Sequence, residues 1–172
     1  MWSKTRQALE SRLCEELKNR VQFHYDVYRT NKDKEKRWWT SEMRVFSILV
    51  DGETWFATNP NYYRELYRSS LVCVATDESR NEVIRKFGFV PATEWGYSGD
   101  IMLCVHQFLN ELSFEQSLTH KNYFIRLLAL LDGRLGKRKI KSLVENVENE
   151  PEWFRKWILL RGNVKPQKEL SL

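Results

Sequence analysis

Five cations stand close together in Arg134-Leu135-Gly136-Lys137-Arg138-Lys139-Ile140-Lys141, with no acid among them. The run opens a segment in which Ile140, Leu143, Val144 and Val147 recur on one helical face, so most of the cations occupy the start of a helix. A helix start carries partial positive charge. Lys137, Arg138 and Lys139 are therefore repelled by it, each at a cost on the order of a few tenths of a kcal/mol when exposed. Such a run either meets the phosphates or carboxylates of a partner or forms a solvated face, in which Lys141 pairs with Glu145 four residues on. Glu145, Glu148, Glu150 and Glu152 follow closely and weaken its long-range field.

Aromatic residues beside arginines form the second candidate set. Trp38-Trp39 lies in a strand pattern, where adjacent side chains face opposite ways, so one ring is expected inside and the other outside. Tyr62, Tyr63 and Tyr67 neighbour Arg64 and Arg68. Rings and guanidinium groups in that arrangement stack on unpaired bases or anchor protein interfaces. Their other use is to fill a core. Trp153, Phe154 and Trp157 read as mostly core-facing.

Other chemistry finds little support. His24, His106 and His120 have no second ligand at a metal-binding spacing. Ser47, Ser98 and the cysteines lack a nucleophile elbow or a recognisable reactive context. Gly96 and Gly99 are not followed by the Gly-Lys-Ser or Gly-Lys-Thr of a phosphate-binding loop. Glu94, Asp100 and Asp132 are carboxylates near loops, and could act in catalysis only if the fold gathered them. No cofactor or metal is expected.

The 172 residues suit one domain with a sizeable core. With 42% hydrophobic and 30% charged residues, the composition is that of a globular chain. The net charge of +5 is modest and the 23 acids are interspersed, which favours a protein partner over nucleic acid. Cys14, Cys73 and Cys104 are odd in number and widely spaced, as in a reducing compartment. No signal core or apolar span is present, so a cytoplasmic protein without membrane contact is expected.

The elements that must position these residues change character along the chain. Leu9, Leu13 and Leu17 predict a helix over Thr5–Lys18, with Ser3 as its cap. Alternation from Arg20 to Arg29 predicts a strand, and Thr30–Lys36 a connector. Further strands are expected at Arg37–Thr40, Arg44–Val50 and Thr54–Ala57. Asp51-Gly52 between the last two signals a type I′ hairpin. After Pro60 the expected elements are a helix over Tyr62–Ser69, a strand over Leu71–Ala75, a helix over Ser79–Phe87 and a loop over Phe89–Gly99. Helices then follow over Asp100–Leu112, Ser113–Leu118, Asn122–Leu131, Lys137–Val147 and Pro151–Arg161, the last stopped by Gly162. Ser113 with Glu115 and Gln116 behind it suggests a loose capping box, and Pro151 a first-turn proline.

Two stretches carry a resemblance. Trp2-Ser3-Lys4-Thr5-Arg6, Leu13-Cys14, Arg20-Val21-Gln22-Phe23-His24 and Tyr28-Arg29 form one. Arg126, Ala129-Leu130-Leu131-Asp132, Gly136-Lys137-Arg138, Pro151-Glu152-Trp153 and Leu160-Arg161 form the other. Together the two stretches resemble a family of small uncharacterised bacterial proteins, which implies a cytosolic bacterial setting and no particular activity. Gly133 departs from that pattern, which has an arginine there. Asn122–Arg161 also resembles a single degenerate HEAT-type repeat. One repeat cannot bury its own face, so a helical hairpin packed on the sheet is expected.

The expected fold is α+β, with a sheet part over about 1–60, a helical part over about 61–162 in the same domain, and a flexible tail over 163–172. The expected function is non-enzymatic binding of a protein partner through Arg134, Lys137, Arg138, Lys139, Lys141, Trp38, Trp39, Tyr62, Tyr63 and Arg64. The alternatives are nucleic-acid binding through residues 134–141, and an enzyme with a loop-assembled site.

Overall fold

A computed structural model of the chain describes residues 2–29, 42–58 and 98–163. Its elements are α1 (Trp2–Arg12), a 3-10 turn (Glu15–Leu17), β1 (Val21–Arg29), β2 (Glu42–Val50) and β3 (Glu53–Ala57). Then come α2 (Ser98–His106), continued by a π-helical turn (Gln107–Glu111), α3 (Phe114–Leu118) and α4 (Tyr123–Leu131). Next are α5 (Lys137–Glu145), a second 3-10 turn (Val147–Asn149) and α6 (Glu152–Arg161). The expected α+β class is borne out. The connector, the two strands and the two helices expected between residues 30 and 41 and between 59 and 97 lie outside the described residues, as do the tail from 164 and all of the expected loop except Ser98 and Gly99, which belong to α2.

The sheet is antiparallel in the order β1-β2-β3. Asp51 has φ 53° and Gly52 φ 86°, so both central residues of the β2–β3 turn are left-handed, as the Asp-Gly pair requires. Val21 opposes Val50, Phe23 opposes Ile48 and Tyr25 opposes Phe46, which sets one face toward the core. A bulge at Ile48/Leu49 leaves Trp55 as the extra residue of β3. Trp55 thereby reaches Trp157 of α6, ring centroids 5.1 Å apart and edge-on. Phe124 of α4 packs edge-on against Phe46 at 5.6 Å and tilted against Phe56 at 5.1 Å. The sheet and the helical half therefore share one core, and the expected packing of the 122–161 helices on the sheet is met.

The first helix ends earlier than its leucine spacing predicts. Leu13 forms an antiparallel bridge with Asp132. The Cys14 N–H donates to the Leu131 carbonyl at 3.1 Å, and the Gly133 N–H to the Arg12 carbonyl at 2.8 Å. These long-range bonds draw the backbone out of the helix after Arg12, and the 3-10 turn still buries Leu17. Ser3 lies inside α1 and does not cap it.

Asp100–Leu112, expected as one α-helix, turns into a π-helix at Gln107. Arg12 donates to the carbonyls of Phe108 (2.9 Å) and Leu109 (2.8 Å), satisfying groups that the wider turn and helix end expose. Pro151 caps α6 just outside its first turn. The left-handed residue after α6 is Asn163, φ 54°, while Gly162 stays right-handed. Asparagine tolerates that conformation better than most side chains.

Candidate functional site

The turn between α4 and α5 splits the basic run in two. Asp132 is 2% exposed. Its Oδ1 accepts from the Arg134 backbone N–H at 2.8 Å and from Nε at 2.9 Å, and its Oδ2 accepts from Nη2 at 2.6 Å. The Arg134 guanidinium also lies 4.8 Å from the centre of the Phe114 ring. Hydrogen bonding to Asp132 raises the Arg134 pKa, whereas burial, reinforced by the charge of Arg134, lowers that of Arg12. Arg134 is thus occupied within the fold.

Gly136 then begins α5, and no acid stands in its first turn. Lys137, Arg138, Lys139 and Lys141 are all exposed. Lys141 pairs with Glu145 at 3.8 Å, as its i,i+4 spacing suggests. Among the described residues, the side chains of Lys137, Arg138 and Lys139 make no hydrogen bond or ion pair. Ile140 is buried beneath them, so the cations form the outer face of an amphipathic helix.

A cleft of about 260 Å³ opens beside this face. Leu118 and Thr119 at the end of α3, Arg126 and Leu130 of α4, Lys139 and Leu143 of α5, Glu150 and Phe154 line it. Arg126 donates to Glu150 at 2.5 Å, the side chains being 20% and 16% exposed. The guanidinium lies 4.5 Å from the Tyr123 ring centre and 5.2 Å from that of Phe154. Cation–π contact and the ion pair together fix its position. The loop carrying Glu150 is held by Arg155, which donates to the carbonyls of Glu148 (2.9 Å) and Glu150 (2.8 Å). Only Lys139 belongs both to the unpaired cations and to this lining.

Sequence reading singled out Lys139 but missed the cleft. Its available signal was Arg126, a lone charge in the otherwise apolar run Tyr123-Phe124-Ile125-Arg126-Leu127-Leu128-Ala129-Leu130-Leu131. Leu118, Glu150 and Phe154 carried no sign of convergence, because separate elements bring them together. Trp38, Trp39, Tyr62, Tyr63 and Arg64 lie outside the described residues, as do Glu94 and Cys73. Phe154 and Trp157 are buried and Trp153 is partly so.

The remaining candidates are dispersed. His106 pairs with Glu111 at 3.3 Å, and His120 Nδ1 accepts from the Asn122 N–H at 3.0 Å. His24 lies 3.4 Å from Gln22 Oε1. Cys14 is buried, and burial pushes its thiol pKa up, the opposite of an activated nucleophile. Among the described residues no group of three His, Cys, Asp or Glu side chains is placed to hold a metal, and no helix is long and apolar enough to cross a membrane.

No curated protein and no solved structure matches the chain. The uncharacterised family suggested by the opening Trp-Ser-Lys-Thr-Arg and the Gly-Lys-Arg turn has a counterpart in a family model that spans both stretches and the sheet between them. Since that model matches residues 1–162, the chain belongs to the SF0329 protein family.

Proposed function

We propose that this chain is a non-enzymatic binding protein of the bacterial cytosol, and that Lys137, Arg138 and Lys139 grip an acidic face of a protein partner. One observation carries the reading. These three cations are exposed and unpaired at a helix start, where the helix itself repels them. Their side chains make no hydrogen bond or ion pair inside the fold, unlike that of Arg134. A protein partner suits a short row of cations followed by acids better than a nucleic acid does, since the latter rewards a longer basic track. The dispersed histidines and the buried Cys14 thiol give enzymatic chemistry no comparable support.

Fluorescence anisotropy with labelled polyglutamate and labelled oligothymidylate tests the reading. Polyglutamate is expected to bind in a salt-sensitive way that is lost when Lys137, Arg138 and Lys139 are all changed to Gln. Oligothymidylate is expected to bind only weakly at physiological salt. Submicromolar oligothymidylate binding that depends on the three cations would assign the surface to nucleic acid. Unchanged polyglutamate binding in the triple variant would make the cations a solvated face.

A further inference from the structure

The cleft beside α5 has a charge balance that points to a ligand of its own, whether or not the three cations grip a partner. Half of its lining residues are apolar, Leu118, Leu130, Leu143 and Phe154, and Thr119 adds a neutral polar group. Two of its three charges cancel, because the Glu150 carboxylate is held by Arg126 at 2.5 Å. That pair is anchored rather than available, since Arg126 also lies against the rings of Tyr123 and Phe154. The remaining charge is the ammonium of Lys139, which has no hydrogen-bonding or ion-pair partner among the described residues. An apolar hollow with one uncompensated positive charge is complementary to an apolar body bearing one negative charge.

Size narrows the class. At about 260 Å³ the cleft falls just below the pockets of roughly 300–1,000 Å³ that enclose drug-sized ligands. The space suits a small ligand rather than a drug-sized one.

We infer that this cleft binds a small amphipathic monocarboxylate, with its apolar body against Leu118, Leu130, Leu143 and Phe154 and its carboxylate on Lys139. The cleft supplies binding without chemistry, and no bond is made or broken. Lys139 is the residue that selects the anion over a neutral molecule of the same shape. Lys137 and Arg138 do not line the cleft, which separates this inference from the proposed partner surface.

The test is a methyl-NMR titration of the full chain with octanoate and, in parallel, with 1-octanol. Octanoate is expected to shift the Leu118, Leu130 and Leu143 methyl signals saturably. Lys139→Gln should weaken octanoate about tenfold while leaving octanol affinity unchanged, since only the charged group loses its partner. Changing Lys137 and Arg138 together to Gln should leave octanoate binding intact even if polyglutamate binding is lost. Leu143→Trp, which fills the cleft, should abolish both ligands in a variant that keeps the wild-type helical circular-dichroism signal. The inference is overturned if the three methyl groups show no saturable shift. Equal weakening of both ligands by Lys139→Gln, or octanoate binding that survives Leu143→Trp, would overturn it as well.

Discussion

Arg134 and Lys139 belong to one basic run, yet the fold uses them in opposite ways. Arg134 follows a buried carboxylate and spends its guanidinium on Asp132. Lys139 sits past Gly136, on the outer face of α5, and has no partner among the described residues. The difference comes from backbone geometry rather than from residue type. The Leu13–Asp132 bridge fixes the turn, and the turn folds one cation back onto Asp132 before the helix carries the others out. A run of charges is therefore not one site, and each cation has to be assigned by what the chain places beside it.

The seam offers the largest break in this comparison. Asp132→Ala removes the acceptor of three bonds and leaves Arg12 and Arg134 close to each other without the intervening negative charge. Losing one partner of a buried pair costs about 3–5 kcal/mol, and partial exposure of Arg134 lowers the expectation to about 2–3 kcal/mol. Urea denaturation measures it directly. A loss below about 1 kcal/mol, the level of an exposed pair, would mean that Arg134 is no more committed to the fold than Lys139.

The β2–β3 turn is the local counterpart of that long-range seam. Gly52 stands at φ 86°, a conformation in which a β-branched residue is strained. A Gly52→Val change should destabilise by roughly 1–2 kcal/mol, whereas the space around a Cβ there is open and imposes no clash. Thermal or urea unfolding of this variant reads strain alone. A neutral result would show that the turn gives up its left-handed geometry cheaply.

These two turns also show what the sequence made legible. Asp-Gly between alternating strands specifies its own hairpin through adjacent residues, so the antiparallel hairpin and the class of fold could be read directly, while the bulge that sets Trp55 apart could not. The same holds for the Ser113–Gln116 capping box, in which each side chain bonds to the other's backbone N–H. The premature end of α1 could not be read, because its cause is backbone pairing with residues 131–133. The π-helical turn escaped for a similar reason: the Arg12 side chain that serves its carbonyls comes from the other end of the sequence. At the candidate site, the cations were visible as a run, while their division and the adjoining cleft depend on packing among four helices.

A third prediction concerns pH, at the entrance to α4. Burial and the neighbouring charge of Lys121 lower the His120 pKa from its ordinary value of 6.5. The unfolded chain then binds this proton more tightly than the folded chain does. The stability associated with the neutral ring is full above the ordinary value and is lost as pH falls through the lowered one. Protonation also removes the Nδ1 lone pair that accepts from the Asn122 N–H. Between about pH 7.5 and 5.5, wild type should lose more stability than His120→Gln, as compared by urea midpoints at both values. An equal loss would move the acid sensitivity elsewhere.

The smallest effect sharpens the comparison most, because it is expected to have the opposite sign. Changing Lys137, Arg138 and Lys139 to Gln removes repulsion at the start of α5 and, of attractions within the fold, only the weak pull between Lys137 and the exposed Glu16. Each charge accounts for a few tenths of a kcal/mol, so the triple variant should gain about 0.5–1 kcal/mol at low ionic strength. The gain should shrink toward zero near 1 M salt, where screening acts within about 3 Å. Arg134→Gln in the same run should lose stability, since Asp132 would keep only the backbone N–H and weaker side-chain donors. Urea unfolding of both variants at two salt concentrations makes the contrast. A stabilised triple variant beside a destabilised Arg134 variant separates cations that hold the fold together from cations retained in spite of it. A destabilised triple variant would place Lys137, Arg138 and Lys139 in the structural group with Arg134 and remove the physical ground for assigning them to a partner.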